Sequence, residues 1–286
     1  MLHMVRLKDL IIQFRNKVTG VNSLNPQLDE LKYEIKKIHE AQQKIIKTLD
    51  ENKRTDIIKI CPVCSSTSKL FNPAGRRNRP NAACPSCRSL ERHRLLWLYL
   101  QKETSFFTQK IKLLHFAPER FFKKKLSEYK DIDYLSADLK SSLADVQADI
   151  QNLPFADNSF DYIICIHVLE HIPDDRKAMR EIYRVLKPNG KAIVMVPLRF
   201  NESHTFEDES IKTPEERTKF YGQSDHLRYY GLDIKDRLQA SGLTVKVEDY
   251  VNRFDLAHRE LYGLPKKDFI YICTKARSTD SLPHQE

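Results

Sequence analysis

The stretch ADIQNLPFADNSFDYIICIHVLEHIPDDRKAMREIYRVLKPNGKAIVMVP, residues 148–197, decides the fold. It holds two runs, YIICIHV at 162–168 and AIVMV at 192–196, that are apolar without alternation. Such runs suit strands of a central sheet covered by helices on both sides. Between them Asp174–Leu186 reads as a helix. Strand, helix and strand in succession form the repeating unit of a doubly wound α/β domain.

Outward from this stretch the alternation continues from Lys110. Further strands are expected at Ile111–Phe116, Asp133–Ala137, Leu243–Asp249 and Phe269–Thr274, beside those at Tyr162–His167 and Ala192–Val196. Further helices are expected at Glu119–Tyr129 and Asp233–Ala240. The segment from Leu198 to Gly231 is too long for an ordinary connection and reads as a functional lid. Upstream, Ser89 is placed to cap a helix through LERHRLLWLYLQKE, whose leucines are too many for a lone surface stripe. That helix should pack on the α/β domain.

Nearer the N-terminus, Asn25-Pro26 opens a helix in which Leu28, Leu31, Ile35, Ile38, Ile45 and Leu49 step by threes and fours, with Gln42 in the gap. This is the pattern of a coiled-coil seam, which either lies along its own protein or pairs with its copy in another chain; the expectation is the pairing, a homo-oligomer joined through residues 26–52. The expected organisation is a helical arm over 1–55, a ribbon over 56–88, the α/β domain over 89–276 and a disordered tail over 277–286.

Cys61-Pro-Val-Cys64 and Cys84-Pro-Ser-Cys87 are two C-x2-C knuckles separated by nineteen residues. Each turn can aim two thiolates at one point, so together they offer a tetrahedral site for structural zinc. The intervening SSTSKLFNPAGRRNRPNAA contains too little apolar surface for a core, which leaves the metal to supply the folding free energy. Cys165 and Cys273 sit singly in expected strands, which argues against a disulfide framework.

The chain has 286 residues and a net charge of +9, with Gly at only 7 positions. Between Glu51 and Lys130 there are 18 Lys and Arg against 6 Asp and Glu. Arg76, Arg77, Arg79, Arg88, Arg92 and Arg94 surround the knuckles, and Phe71 offers one exposed ring. An anionic partner such as nucleic acid fits this charge, but no repeated aromatic platform for bases is present. No apolar run approaches the roughly 18 residues of a membrane span. The N-terminal residues lack a secretory pattern, so a cytoplasmic location is expected.

With these elements in place, residues 148–197 resemble the small-molecule type of class I S-adenosylmethionine-dependent methyltransferase, a Rossmann-like fold. The likeness runs roughly from Lys110 to Thr274. It implies that Asp138 ends the second strand and takes the ribose hydroxyls, beside Leu139. Asp149 and Ile150 would read the adenine, and His167 would lie against the methionine part. The first strand departs from the family pattern. Where an acidic residue and a Gly-rich turn are usual, this chain has His115, Phe116, Ala117, Pro118 and Glu119. Either Glu119 takes over the contact to the methionine amino group, or cofactor binding is weakened; the retained Asp138 and Asp149 favour the former. The missing Gly-x-Gly-x-x-Gly also removes the phosphate site a dehydrogenase needs.

The resemblance names the reaction class but no substrate; the leading expectation is a small-molecule or sugar-type acceptor, methylated on oxygen or nitrogen. An RNA acceptor, or a non-catalytic scaffold with a degenerate pocket, are the alternatives. Methyl transfer depends on holding the acceptor in line with the methyl group, and a hydroxyl acceptor also needs a base. Within the lid, His226 beside Asp225 is the expected base, with His204 second and Arg228 a binder of anionic groups. Glu170 and His171 are expected to cap the following helix and line the pocket.

Overall fold

The computed structural model describes residues 31–38, 40–41, 58–76 and 78–277. The chain divides into two compact units, Met1–Ile57 and Ile58–Glu286. The described residues of the first unit are helical, and Leu31, Ile35 and Ile38 of the expected seam are exposed. The rest of the coiled-coil arm, and the tail from 278, lie outside the described residues.

The second unit opens with β1 (Lys59–Ile60) and β2 (Thr67–Ser68), then β3 (Asn72–Ala74) and β4 (Arg79–Ala83), each pair antiparallel. Cys61 and Cys64 lie in the turn between β1 and β2, and Cys84 and Cys87 in the turn after β4. Helix α1 (Glu91–Glu103) follows. Its N-cap is Leu90, not Ser89. The Ser89 hydroxyl instead lies 3.2 Å from the Sγ atoms of both Cys61 and Cys87. Eight successive residues, His93 to Leu100, are buried on α1, so this helix has no solvent face over that stretch.

The main sheet contains β5 (Ile111–Phe116), β6 (Ile132–Asp138), β7 (Val146–Gln147), β8 (Phe160–Ile166), β9 (Leu186–Met195), β10 (Leu243–Glu248) and β11 (Ile270–Lys275). Their order is β10-β11-β9-β8-β5-β6-β7, with β11 antiparallel to both neighbours and the pairs from β9 to β7 parallel. The connecting helices are α2 (Arg120–Leu126), α3 (Asp175–Val185), α4 (Pro214–Tyr221), α5 (Ile234–Gln239) and α6 (Leu256–Tyr262). This is the doubly wound, Rossmann-like sheet expected from the sequence.

The pleat divides the core in two. Leu113, Tyr162, Ile164 and Ile193 face a cluster that holds Trp97 of α1, Phe122 of α2 and the ribbon residues Cys61, Val63, Phe71 and Cys84. Leu114, Ile163, Cys165 and Val194 face the opposite cluster, closed by Ala178, Met179 and Ile182 of α3 and by Ile234 and Leu238 of α5. The ribbon therefore shares an apolar core with the sheet.

Three elements were not expected from the sequence: β7, α4 and α6. The helix expected at Glu119–Tyr129 is shorter at both ends, because Glu119 is an extended N-cap. Strand β9 starts at Leu186, well before Ala192, because Leu186 pairs with Phe160 across a register irregularity.

Candidate functional site

The sheet order reverses between β5 and β8, whose chains leave in opposite directions. Ligands of such sheets bind beyond the carboxyl ends of the strands at this point. Ala117 and His167, the residues directly after β5 and β8, have φ of 48° and 54°. Left-handed backbone of this kind costs a non-glycine residue about 1–2 kcal/mol. Each turn is tied to a neighbouring strand: Ala117 N–H donates to Ala137 O at 2.9 Å, and His167 N–H to Met195 O at 2.8 Å. A cleft of about 860 Å³ opens here, and Phe116, Ala117, Asp138, Leu139, Asp149, Ile150 and His167 all line it. Seven of the nine expected cofactor residues thus meet around one cavity. His115 and Glu119 do not line it.

The two carboxylates of the cleft are held by short local turns. Asp138 Oδ1 accepts from the backbone N–H of Lys140 at 2.7 Å and of Ser141 at 2.6 Å, which leaves Oδ2 without a partner among the described residues. Asp149 Oδ1 accepts from Gln151 N–H at 2.8 Å, and the Gln151 amide donates to both carboxylate oxygens at 3.1 and 3.2 Å. Gln151 and Lys140, which sequence reasoning missed, therefore set the two acid side chains in the wall.

His115 and Glu119 belong to a buried group beneath the β5 turn. His93 Nδ1 accepts from Leu90 N–H at 3.1 Å, so its proton sits on Nε2, which lies 2.7 Å from Glu119 Oε1. His115 Nδ1 lies 3.0 Å from the Tyr134 hydroxyl, and its Nε2 3.6 Å from Glu119 Oε2. Glu119 is thus engaged from beneath by α1. Burial pushes His115 down to about 4, so its imidazole is neutral in the folded chain at pH 7.

A pH dependence follows. With the folded pKa below the unfolded value of about 6.5, His115 contributes stability above that value that is lost as pH falls through about 4. The groups facing it are His93, Glu119, Tyr134 and the Phe122 ring. In urea titrations, the native chain should lose on the order of 3 kcal/mol more between pH 7 and pH 4 than His115→Gln. Equal losses in the two proteins refute this assignment.

On the far side of the cleft the lid is built, not loose. Leu198 and Phe206 form β-bridges with Tyr230 and Tyr229. Gly231 permits the closest approach, since a Cβ there would lie 2.5 Å from the His204 carbonyl. Helix α4 is capped by Thr213 and Glu216 in a reciprocal box and ended by Gly222 at φ 86°. Arg217, Asp225 and Leu227 from this segment line the cleft.

Arg228 differs from its expected role. It is buried, and its guanidinium donates to Glu207 Oε2 at 2.8 Å, Leu169 O at 3.0 Å and Pro173 O at 2.8 Å, and also to Ile172 O. Arg237 and Tyr230 complete the network on Asp175, each at 2.7 Å. With its donors committed to the protein, Arg228 clamps the lid to the turn after β8.

The structure places the three expected catalytic residues differently. His226 is 2% exposed, with neither ring nitrogen hydrogen-bonded, and burial pushes its pKa down to about 4. Asp225 directs Oδ2 to His171 Nδ1 at 3.4 Å, and its carbonyl lies 3.2 Å from the same nitrogen. His204 is exposed and outside the cleft lining. Glu170 does not cap α3, because Asp174 does so, accepting from Lys177 N–H at 2.8 Å. Glu170 is instead 0% exposed, with both carboxylate oxygens unpartnered, and burial pushes its pKa up to about 8.

The four cysteines converge. Their Sγ atoms lie within 4.8 Å of one another, with Cys61–Cys87 at 3.6 Å and Cys64–Cys84 at 3.8 Å. A tetrahedral ion with sulfur bonds of about 2.3 Å has S–S edges of about 3.8 Å, so the donors fit zinc. The arginines around the cluster are less available than their number suggests. Arg94 is buried and donates to the carbonyls of Ser89, Ala82, Tyr262 and Gly263, while Arg79 pairs with Glu91 at 3.1 Å. Phe71 is buried beneath Arg94, with the guanidinium 4.4 Å from its ring.

Residues 114–194 match the methyltransferase domain family. Over 68 residues the chain is 44% identical to a sterol 4-C-methyltransferase of Caenorhabditis elegans, covering 24% of this chain and 20% of that one. It is 46% identical over 57 residues to the ubiquinone/menaquinone biosynthesis C-methyltransferase UbiE of Rickettsia felis, covering 20% and 23%. The matched part is thus about a fifth of the length of these relatives. Among solved structures, an S-adenosylmethionine-dependent methyltransferase of Mesorhizobium loti aligns over 63% of this chain and 97% of its own, at 14% identity and a TM-score of 0.45. Among the described residues, no helix is long and apolar enough to cross a membrane.

Proposed function

We propose that this chain is an S-adenosylmethionine-dependent methyltransferase with a small-molecule acceptor and a structural zinc ion in its four-cysteine cluster. The observation that carries the reading is the cleft at the sheet reversal, where Asp138 presents an unpartnered Oδ2 within the matched residues. A carboxylate of this kind accepts hydroxyl donors such as those of a ribose. Asp149 and Ile150 would hold the adenine, and His167 and Phe116 would flank the methionine part. The cofactor supplies a methyl group on a sulfonium centre when bound.

What the chain itself contributes is position. The lid brings Arg217, Asp225 and Leu227 to the open side of the cleft, and a second hollow of about 640 Å³ adjoins it through Pro173, Arg217 and Leu227. A site of this size suits a small molecule. The names of the relatives, which speak of a sterol and of quinones, point to the same acceptor class. The buried Phe71 and committed Arg94 disfavour the ribbon as a nucleic-acid grip.

Calorimetric titration with S-adenosylmethionine and its demethylated product tests the reading. Micromolar binding is expected, and no detectable binding of either overturns it. Asp138→Ala should weaken binding by about 2 kcal/mol, roughly thirtyfold, the loss of a hydrogen bond to a charged acceptor. Unaltered affinity in that variant removes Asp138 from the site.

A further inference from the structure

We infer that Glu170, His171 and His226 form a binding site for one divalent transition-metal ion at the acceptor side of the cleft. The three side chains come from two segments, the single turn Leu169–His171 after β8 and the strap that follows α4. One carboxylate oxygen and one nitrogen from each ring lie within 4.8 Å of one another. Three donors on one ion with bonds of about 2.0–2.2 Å lie about 3.8 Å apart at most, so an inward movement of up to about 0.6 Å per donor closes the site.

Burial points to a ligand. Glu170 is 0% exposed and His226 2%, and neither carboxylate oxygen nor either His226 ring nitrogen has a hydrogen-bond partner. A buried carboxylate left in this condition is costly unless it is protonated or a cation takes it. Arg92 adds positive charge nearby but forms no ion pair with Glu170 among the described contacts. The nearest side-chain donor is His167, whose Nδ1 lies 3.4 Å from Glu170 Oε1 and which can supply a fourth ligand.

The surroundings are arranged as metal ligands require. His171 Nδ1 faces the Asp225 carbonyl at 3.2 Å and carboxylate at 3.4 Å, which fixes its proton there and leaves Nε2 as a lone-pair donor. The two ligand-bearing segments are stitched together by Leu227 N–H to Glu170 O at 2.8 Å, and by Arg228 to the carbonyls of Leu169 and Ile172. A set of imidazoles and one carboxylate selects zinc, manganese, iron, cobalt or nickel over magnesium or calcium. His167, His171 and Asp225 line the cleft, which puts the proposed ion at its wall. The ion would hold an oxygen-bearing acceptor, a hydroxyl or an enol, by that oxygen. Only this last role rests on the methyltransferase reading.

The test uses the full chain with its cysteines already loaded with zinc, titrated with Co²⁺ and followed by calorimetry and visible absorption. A further equivalent of Co²⁺ per chain is expected, with d–d bands but no sulfur-to-cobalt charge transfer. Glu170→Gln and His171→Gln should each weaken it at least about tenfold. The second variant carries the test if the first does not fold by circular dichroism. No uptake beyond the cysteine cluster, or wild-type affinity in a folded variant, overturns the site. Titration with S-adenosylmethionine runs in parallel. Cobalt uptake without cofactor binding supports the metal site and removes the methyltransferase reading, whereas cofactor binding without cobalt uptake does the reverse.

Discussion

Cys61→Ser is expected to abolish zinc retention and to destabilise the whole of the second unit. The proposed ion is bound by four thiolates and nothing else, so the loss of one leaves an incomplete shell. Zinc sites of this type contribute about 10–16 kcal/mol of apparent binding free energy to folding. The ribbon has little with which to replace it, since its strands are two to five residues long. The damage should spread, because Cys61, Val63 and Phe71 pack in the same cluster as Trp97, Leu113 and Ile164. A loss of about 5 kcal/mol or more is expected in urea titrations, together with zinc absent from the purified protein by atomic emission. Unchanged metal content sinks the four-ligand assignment. Zinc loss with unchanged stability would keep the site and refute its part in folding.

Arg228→Met has the second largest expected effect. Methionine approximates the volume of the side chain, so the change isolates the charge and its hydrogen bonds. Removing the guanidinium leaves the carbonyls of Leu169, Ile172 and Pro173 without this donor, and leaves Glu207 to Arg237 alone. The ion pair of Arg228 with the buried Asp175, 3.8 Å away, is also lost although Arg237 stays on that carboxylate, so a cost of about 3 kcal/mol is expected, the lower end for a broken buried pair. Acceptor binding should fall further than cofactor binding, because the lid is released while Asp138 and Asp149 are untouched. A stability loss under about 1 kcal/mol would show that the network is not the anchor of the lid.

The central sheet was legible because its strands are apolar on both faces, and so was the helix from Asp174, although its cap is Asp174 itself and not Glu170 or His171. The cysteine cluster was legible from spacing alone. Helix α4 was missed although its signals were present: Thr213, Pro214 and Glu216 at its start and Gly222 at its end. A lid read as one irregular connection hid them. Arg228 was misread for a different reason. An arginine in a lid can face a ligand or the backbone, and only the tertiary fold brings the carbonyls of residues 169–173 beneath it. Glu170 is the converse case, since nothing local marks a carboxylate as unpartnered.

Arg94 joins regions far apart in the chain, with the Gly263 carbonyl 169 residues away, and Lys59 reaches the Glu260 carbonyl across 201 residues. These closures carry a large chain-entropy cost that local contacts do not share. On the ribosome, the ribbon is therefore synthesised early and finished late. Its packing is expected to be complete only once Tyr262 and Gly263 have been made, with Phe71 and the apolar side of α1 uncovered until then.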